Sequence, residues 1–271
     1  MVQAMSGQEE GGQRAVQSVE VGGRLLLALG GHPAPMSLKD LAARAGLPSA
    51  RAHPYLVSFC KLGLIEQDPT TGHYALGPAA LQLGLTCLHQ LDPMRVAGPV
   101  AERLAESTGY AVALALWGNF GPTVVRMIEA RQPLLVAMRA GTVMSVLHTA
   151  TGRAFAAALP AERIASAMAG ALGDPARPAV QLTPQEEGLV RQAREDVRLH
   201  GVVRAEGRPI PNVNAFSAPV LDHEGQAVLV ITALGHQEDL PVDWDSAAAR
   251  AVRDAALEMS RRLGWRGDWA A

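Results

Sequence analysis

Three features of the 271-residue sequence predict an α+β chain in two parts. Between Met36 and Gly77 a short helix, a glycine turn, a longer helix and a two-stranded hairpin follow one another, the order of a winged helix-turn-helix. From Gly109 the apolar period changes from helical to two, in runs separated by short breaks, which suggests an antiparallel sheet. Between these parts lies a helical stretch, residues 78–91, that reads as a linker.

Residues 1–13 are polar and rich in Gly, Gln and Glu, the composition of a disordered tail. Val16, Val19, Leu26 and Leu29 supply the apolar face of a first helix, which Gly22-Gly23 should weaken. Ser37 can cap the next helix, with Asp40 completing a capping-box arrangement, and Leu38, Leu41, Ala42 and Ala45 recur at helical spacing. Gly46 supplies the turn, and Pro48 suits the first position of the following helix. In that helix Ala52, Tyr55, Leu56 and Phe59 face inward. A step of about 100° per residue then puts Ala50, Pro54, Val57 and Lys61 outward, with Arg51 and Ser58 on one flank and His53 on the other. Leu64–Glu66 and Tyr74–Leu76 form the hairpin, closing an expected domain over residues 14–77.

The second domain is expected over residues 92–265. Asp92-Pro93 opens a helix to Ser107, and AVALALWG, PTVVRMIEA and PLLVAMRAG read as three successive strands. HTATGRAFAAALP and residues 161–171 return to helix. Thr183-Pro-Gln-Glu186 is a capping box opening a helix to about His200. The stretches GVVRAEG, VNAFSAPVLD and QAVLVITALG are extended, and Asp243–Leu263 is a final amphipathic helix.

Composition narrows the function. Hydrophobic residues make up 48% and charged residues 18%, ample core for a globular chain. The net charge of −2 means that DNA binding would need a local positive surface; residues 14–77 carry six basic against four acidic groups, a weak balance of +2. Cys60 and Cys87 lack metal-ligand spacing and read as small apolar residues in a reducing compartment. Neither the charged and apolar regions of a signal peptide nor an apolar run of about 18 residues occurs, so a cytoplasmic chain without membrane association is expected. The eight histidines form no ligand cluster, and no G-x-S-x-G elbow or phosphate loop is present. No metal, cofactor or enzymatic activity is therefore expected. Met36, Met127, Met138 and Met144 read as gap-filling core.

Several motifs resemble the IclR family of bacterial transcriptional regulators, across nearly the whole chain after residue 14. They are Gln17-Ser-Val-Glu20, Leu41-Ala-x-Arg44-Ala-Gly-Leu-Pro48, Gly63-Leu-Ile-Glu-Gln-Asp-Pro, Gly72-x-Tyr-x-Leu-Gly77, Thr149-Ala-Thr-Gly-Arg-Ala154 and Ser217-Ala-Pro-Val-Leu-Asp222. The resemblance implies a GAF-like effector domain behind the winged helix, a homodimer or dimer of dimers on palindromic double-stranded DNA, and a repressor governed by a small-molecule effector. DNA contacts are then expected from Lys39, Ser49, Ala50, Arg51, His53, Ser58 and Lys61, and from His73 on the wing. Effector contacts are expected from Thr149, Ala150, Gly152 and Ser217. Trp117 and His148 are further candidates, against core burial for the tryptophan and capping or solvent exposure for the histidine.

Two departures matter. Family members usually carry an arginine where this chain has Pro54, which removes a DNA-contacting guanidinium and should kink or interrupt the helix at a cost of roughly 3 kcal/mol. The alternative this raises is a small-molecule-binding or interaction protein of the same fold with weakened operator binding. In the pocket, matching residue by residue puts Ala215 at a cysteine, Ala205 at an acid, and Thr232 and Leu234 at two serines. A more apolar pocket follows, suited to a larger or more aromatic acid, unless these alanines merely pack a pocket lined from elsewhere.

Overall fold

The computed structural model describes residues 15–129, 131, 134, 136, 138–168 and 181–267. The tail expected over 1–13 and the end of the helix expected over 161–171 lie outside them. The chain divides after Leu91 into two compact units.

The first unit contains α1 (Gln17–Gly30), α2 (Leu38–Arg44), α3 (Ser49–Lys61), a hairpin of β1 (Ile65–Gln67) and β2 (Tyr74–Leu76), and α4 (Pro78–Gln90). Its core joins Val21 and Leu25 of α1 to Leu41 and Ala42 of α2, Ala52 and Leu56 of α3, and Ile65 and Tyr74 of the hairpin. Gly22 has a reason to interrupt α1: a Cβ there would sit 2.8 Å from Phe59 Cζ and 3.3 Å from Tyr55 Cδ1. The glycine lets α1 press against α3, so tertiary packing outweighs its poor helix propensity. Ser37 caps α2 through the Asp40 amide, but its hydroxyl donates to Asp40 Oδ2 at 2.6 Å. Asp40, shorter than the glutamate of a capping box, takes this hydroxyl rather than the Ser37 amide.

Pro48 does not open α3. Its carbonyl accepts from the Arg51 and Ala52 amides while its own ψ is 142°, so it is the N-cap and Ser49 the first helical residue. Nor does Pro54 interrupt the helix. α3 continues to Lys61, the missing amide costing one bond to Ala50, and the Ser58 hydroxyl donates to the Pro54 carbonyl at 3.0 Å. In α4 no residue is buried, and Leu81, Leu83, Leu85 and Leu88 are all exposed.

The second unit contains α5 (Pro93–Thr108), β3 (Ala111–Gly118), β4 (Gly121–Ile128), α6 (Ala150–Ala158), α7 (Ala161–Met168), α8 (Pro184–His200), β5 (Val203–Ala205), β6 (Val213–Leu221), β7 (Ala227–His236) and α9 (Ala247–Arg262). The strands form one antiparallel sheet in the order β4-β3-β7-β6-β5. The helices α5 and α9 pack on each other and on the sheet, as do α6 and α8. Register decides what faces α6. Ala205 pairs with Ala215, Ala215 with Leu234 and Ser217 with Thr232, and the period of two sets all five on one face.

The third strand expected from PLLVAMRAG is not found among the described residues; positions 133, 135 and 137 lie outside them. Leu134, Val136 and Met138 still pack beside Ala113 and Val124, so their side chains satisfy the apolar pattern. The edge of β4 is met instead by a turn. Val124 N donates to Thr142 O at 2.9 Å and Met144 N to Pro122 O at 2.7 Å.

Candidate functional site

Each unit presents one candidate surface. On α3, Ala52 and Leu56 are buried and Tyr55 and Phe59 half-buried, whereas Ala50, Arg51, His53, Pro54, Val57, Ser58 and Lys61 are exposed. Ser49 is half-buried at the start of the helix, and Lys39 is exposed on α2. Arg44 is occupied, donating to Gly31 O at 3.2 Å. Lys39, Arg51 and Lys61 make no ion pair among the described residues. His73 stands half-buried on the hairpin, beside a turn built by Asp68, whose Oδ1 accepts from the Thr70 amide at 2.7 Å and the Thr71 amide at 2.8 Å. These backbone bonds hold the Asp68 carboxyl below the usual range. A solvated helix face with unpaired cations, flanked by a stiffened hairpin, can meet a phosphate backbone and a groove at once.

The second surface is an open-mouthed cavity of ≈40 Å³. Thr149, Ala150, Ala205, Ala215, Thr232 and Leu234 line it, together with Met138, Met144, Thr151, Arg208, Pro209, Ile210 and Val213. Its polar floor is a chain of hydroxyls: Thr151 Oγ1 lies 2.9 Å from Thr232 Oγ1, which lies 2.7 Å from Ser217 Oγ. Thr149 caps α6, accepting from the Gly152 amide and donating to Ser145 O at 2.7 Å. One wall is the loop between β5 and β6. Buried Asn214 braces it, accepting from the Gly207 amide at 3.0 Å and donating to Leu240 O at 2.8 Å. On that loop Asn212 has φ 62°, a left-handed conformation that asparagine tolerates.

Four expected effector residues are placed elsewhere. Ser217 sits behind Thr232, fully buried, and reaches the cavity only through that hydroxyl. Gly152 is a packing residue: a Cβ would fall 2.1 Å from Ser145 O and 2.4 Å from Val146 O, so only glycine lets α6 approach that segment. His148 is exposed and lines no part of the cavity, because the turn before α6 points it outward while Leu147 and Thr149 turn inward. Trp117, at the end of β3, packs edge-on against Phe155 at 5.4 Å between centroids, and its buried Nε1 has no partner among the described residues. Met138 and Met144 pack beside the Ala113 and Val124 cluster and also line the cavity. The loop residues Arg208, Pro209 and Ile210 carry no periodic signal. Thr151 could have been found, since it sits inside the Thr149–Ala154 motif.

Elsewhere Asp196 and Arg153 form a half-buried ion pair at 3.5 Å, in which burial pushes the aspartate up and the arginine down. No group of three or more metal-binding side chains occurs among the described residues, and no helix there is long and apolar enough to cross a membrane.

Comparison with known proteins matches both domains in order. Residues 18–69 match the IclR helix-turn-helix domain, and residues 85–261 match the C-terminal domain of bacterial IclR transcriptional regulators. The chain is 28% identical to the glycerol operon regulatory protein of Streptomyces griseus, over 93% of this chain and 98% of that protein. It is 25% identical to the HTH-type transcriptional regulator KipR of Bacillus subtilis, over 89% and 94%. Among solved structures, HmgR of Pseudomonas aeruginosa superposes with a TM-score of 0.83 at 31% identity, covering 93% of this chain and all of that one. With both domains matched in order, the chain belongs to the IclR family and is a DNA-binding transcriptional regulator.

Proposed function

We propose that the protein is a repressor that reads a palindromic operator with α3 and the hairpin, and that a small organic acid in the sheet-unit cavity sets its grip. The observation that carries the reading is the exposed face of α3, where Arg51 and Lys61 are unpaired and Pro54 leaves the helix unbroken. In this reading Arg51, Lys61, Lys39 and His73 contact phosphates, and Ser49, Ala50, His53 and Ser58 meet base edges or sugar. Two copies are needed to read two half-sites, as a homodimer or dimer of dimers. The uncovered leucines of α4 offer apolar surface for that pairing. The apolar cavity walls favour a ring-sized acid over a very small hydrophilic one. Such a ligand acts only through different affinities for two arrangements of the protein. This is regulation in the cytoplasm, with no catalytic step.

One observation favours a weaker variant of this reading. The centre of the outward face is Ala50, Pro54 and Val57, which offer no cation, so binding could rest on ligand sensing with only loose DNA contact. Selection of bound duplexes from a random pool, followed by gel shifts of the parent and Pro54→Arg, tests both. The proposal expects an enriched palindrome bound with a steep salt dependence, and a modest gain for Pro54→Arg. Absence of any enriched sequence would sink it.

A further inference from the structure

The cavity holds a proton inventory that specifies its ligand. Thr151, Thr232 and Ser217 own one hydroxyl proton each, but the chain joining them contains only two hydrogen bonds. One proton is therefore unspent among the described residues. Leaving it on Ser217, fully buried and walled off from the cavity, would strand a donor without water. The inexpensive arrangements put it on Thr151 or Thr232, both of which line the cavity and are 3% and 4% exposed. The floor thus offers a donor and asks for an acceptor. At the rim stands Arg208, exposed, the charged residue among those lining the cavity, with no ion pair or hydrogen bond to any described residue. Nearby Glu206, also exposed, makes no pair with it. Asn214 fixes the loop that carries Arg208, so the guanidinium stands on a braced support.

We propose that the cavity takes a rod-shaped organic acid by both ends. An anionic group lies on the Arg208 guanidinium at the rim, and an uncharged oxygen acceptor lies on the Thr151–Thr232 hydroxyls at the floor. An apolar ring or chain between them lies against Met138, Met144 and Leu234. The proposal rests on reading the cavity as the effector site, and it makes Arg208 the residue that selects for charge and the threonine pair the one that selects for the far-end oxygen.

The test uses the full chain and three para-substituted probes in calorimetry. These are 4-acetylbenzoate (anion and acceptor), 4-isopropylbenzoate (anion without acceptor) and 4-acetylbenzamide (acceptor without charge). The parent should bind 4-acetylbenzoate most tightly, by roughly threefold to tenfold over each of the others. Arg208→Gln should collapse the acid-over-amide ratio and leave the acetyl-over-isopropyl ratio. The isosteric double variant Thr151→Val/Thr232→Val should do the opposite. Ser217→Ala, which leaves two hydroxyls, one bond and one spare proton, should keep both ratios. Failure of all three probes to bind at millimolar concentration, ratios that survive their variants, or the crossed pattern of a ligand bound end for end would each overturn the proposal. Gel shifts with the same probes separate it from the functional reading. Binding without a change in DNA affinity would refute effector control while leaving the two-ended site standing.

Discussion

The two units solve opposite problems with the same material. In the helix-turn-helix unit most of the candidate side chains point away from the core and are exposed, and the cations Lys39, Arg51 and Lys61 make no ion pair among the described residues. In the sheet unit the candidate residues point inward, and most of their polar capacity is already spent on Ser145, Thr232, Ser217 and Leu240. Substitutions on the first surface should therefore change binding with little change in stability. Those around the second should change both. Glycine shows the contrast most sharply. Gly22 and Gly152 each permit a close approach, but the obstacle at Gly22 is the far end of the Phe59 ring, and at Gly152 it is backbone.

That difference yields the largest expected effect. Gly152→Ala must move α6 off the Ser145 and Val146 carbonyls and should cost roughly 3 kcal/mol, on the order of 10 °C in melting. Gly22→Ala needs only a ring to turn and should cost about 1 kcal/mol. The tryptophans all lie beyond Leu91, so fluorescence melting reports the sheet unit alone. Equal melting of Gly152→Ala and parent would break the comparison. Next comes Asn214→Ala, which strands the Gly207 amide and the Leu240 carbonyl, at about 2 kcal/mol, and should loosen the Arg208 loop in hydrogen exchange. Unchanged exchange across residues 206–213 would count against the bracing role.

On the outer surface the effects are smaller and of another kind. Arg51→Ala and Lys61→Ala should each leave melting within about 0.5 kcal/mol of the parent. Each should lower the slope of log affinity against log salt by about 1, which gel shifts over a salt series would read. A variant that lost stability and kept its slope would place that side chain in the fold rather than on DNA.

The contrast also explains what could be read in advance. On α3 the helical period alone separates Ala52 and Leu56 from the outward residues, because a solvent-facing surface is the complement of the buried stripe. On β6 and β7 the period of two likewise aligns Ala215, Thr232 and Leu234 once the register is known. The remainder of the cavity comes from loops. Arg208, Pro209 and Ile210 have no period, and Met138 belongs to an alternating apolar segment that reads as a strand but forms none among the described residues, with Met144 in the turn that follows it. His148 and Thr149 are neighbours with opposite fates, decided by the turn into α6 rather than by residue type. Pro54 is the converse: a residue whose local rule predicts a break, overridden by a helix anchored on both sides through Ala52 and Leu56.

The smallest effects lie in two aspartates whose shifts have opposite sign. Asp68, on the hairpin turn, is held low by the Thr71 and Thr70 amides. Its folded pKa lies below the unfolded one. Its contribution is therefore complete above the ordinary carboxylate value of about 3.9 and fades as pH falls through the depressed value. Asp196 is pushed up by burial, against the pull of Arg153, His200 and Arg204. Its folded pKa lies above the unfolded one, so the stability linked to its protonated form is present below about 3.9 and lost as pH rises through the raised value. Carboxyl NMR titration should place the Asp196 midpoint above that of Asp68, and Arg153→Gln should widen the gap by removing the nearest cation from Asp196. The reverse order would mean that the cations around Asp196, not its burial, set its ionisation.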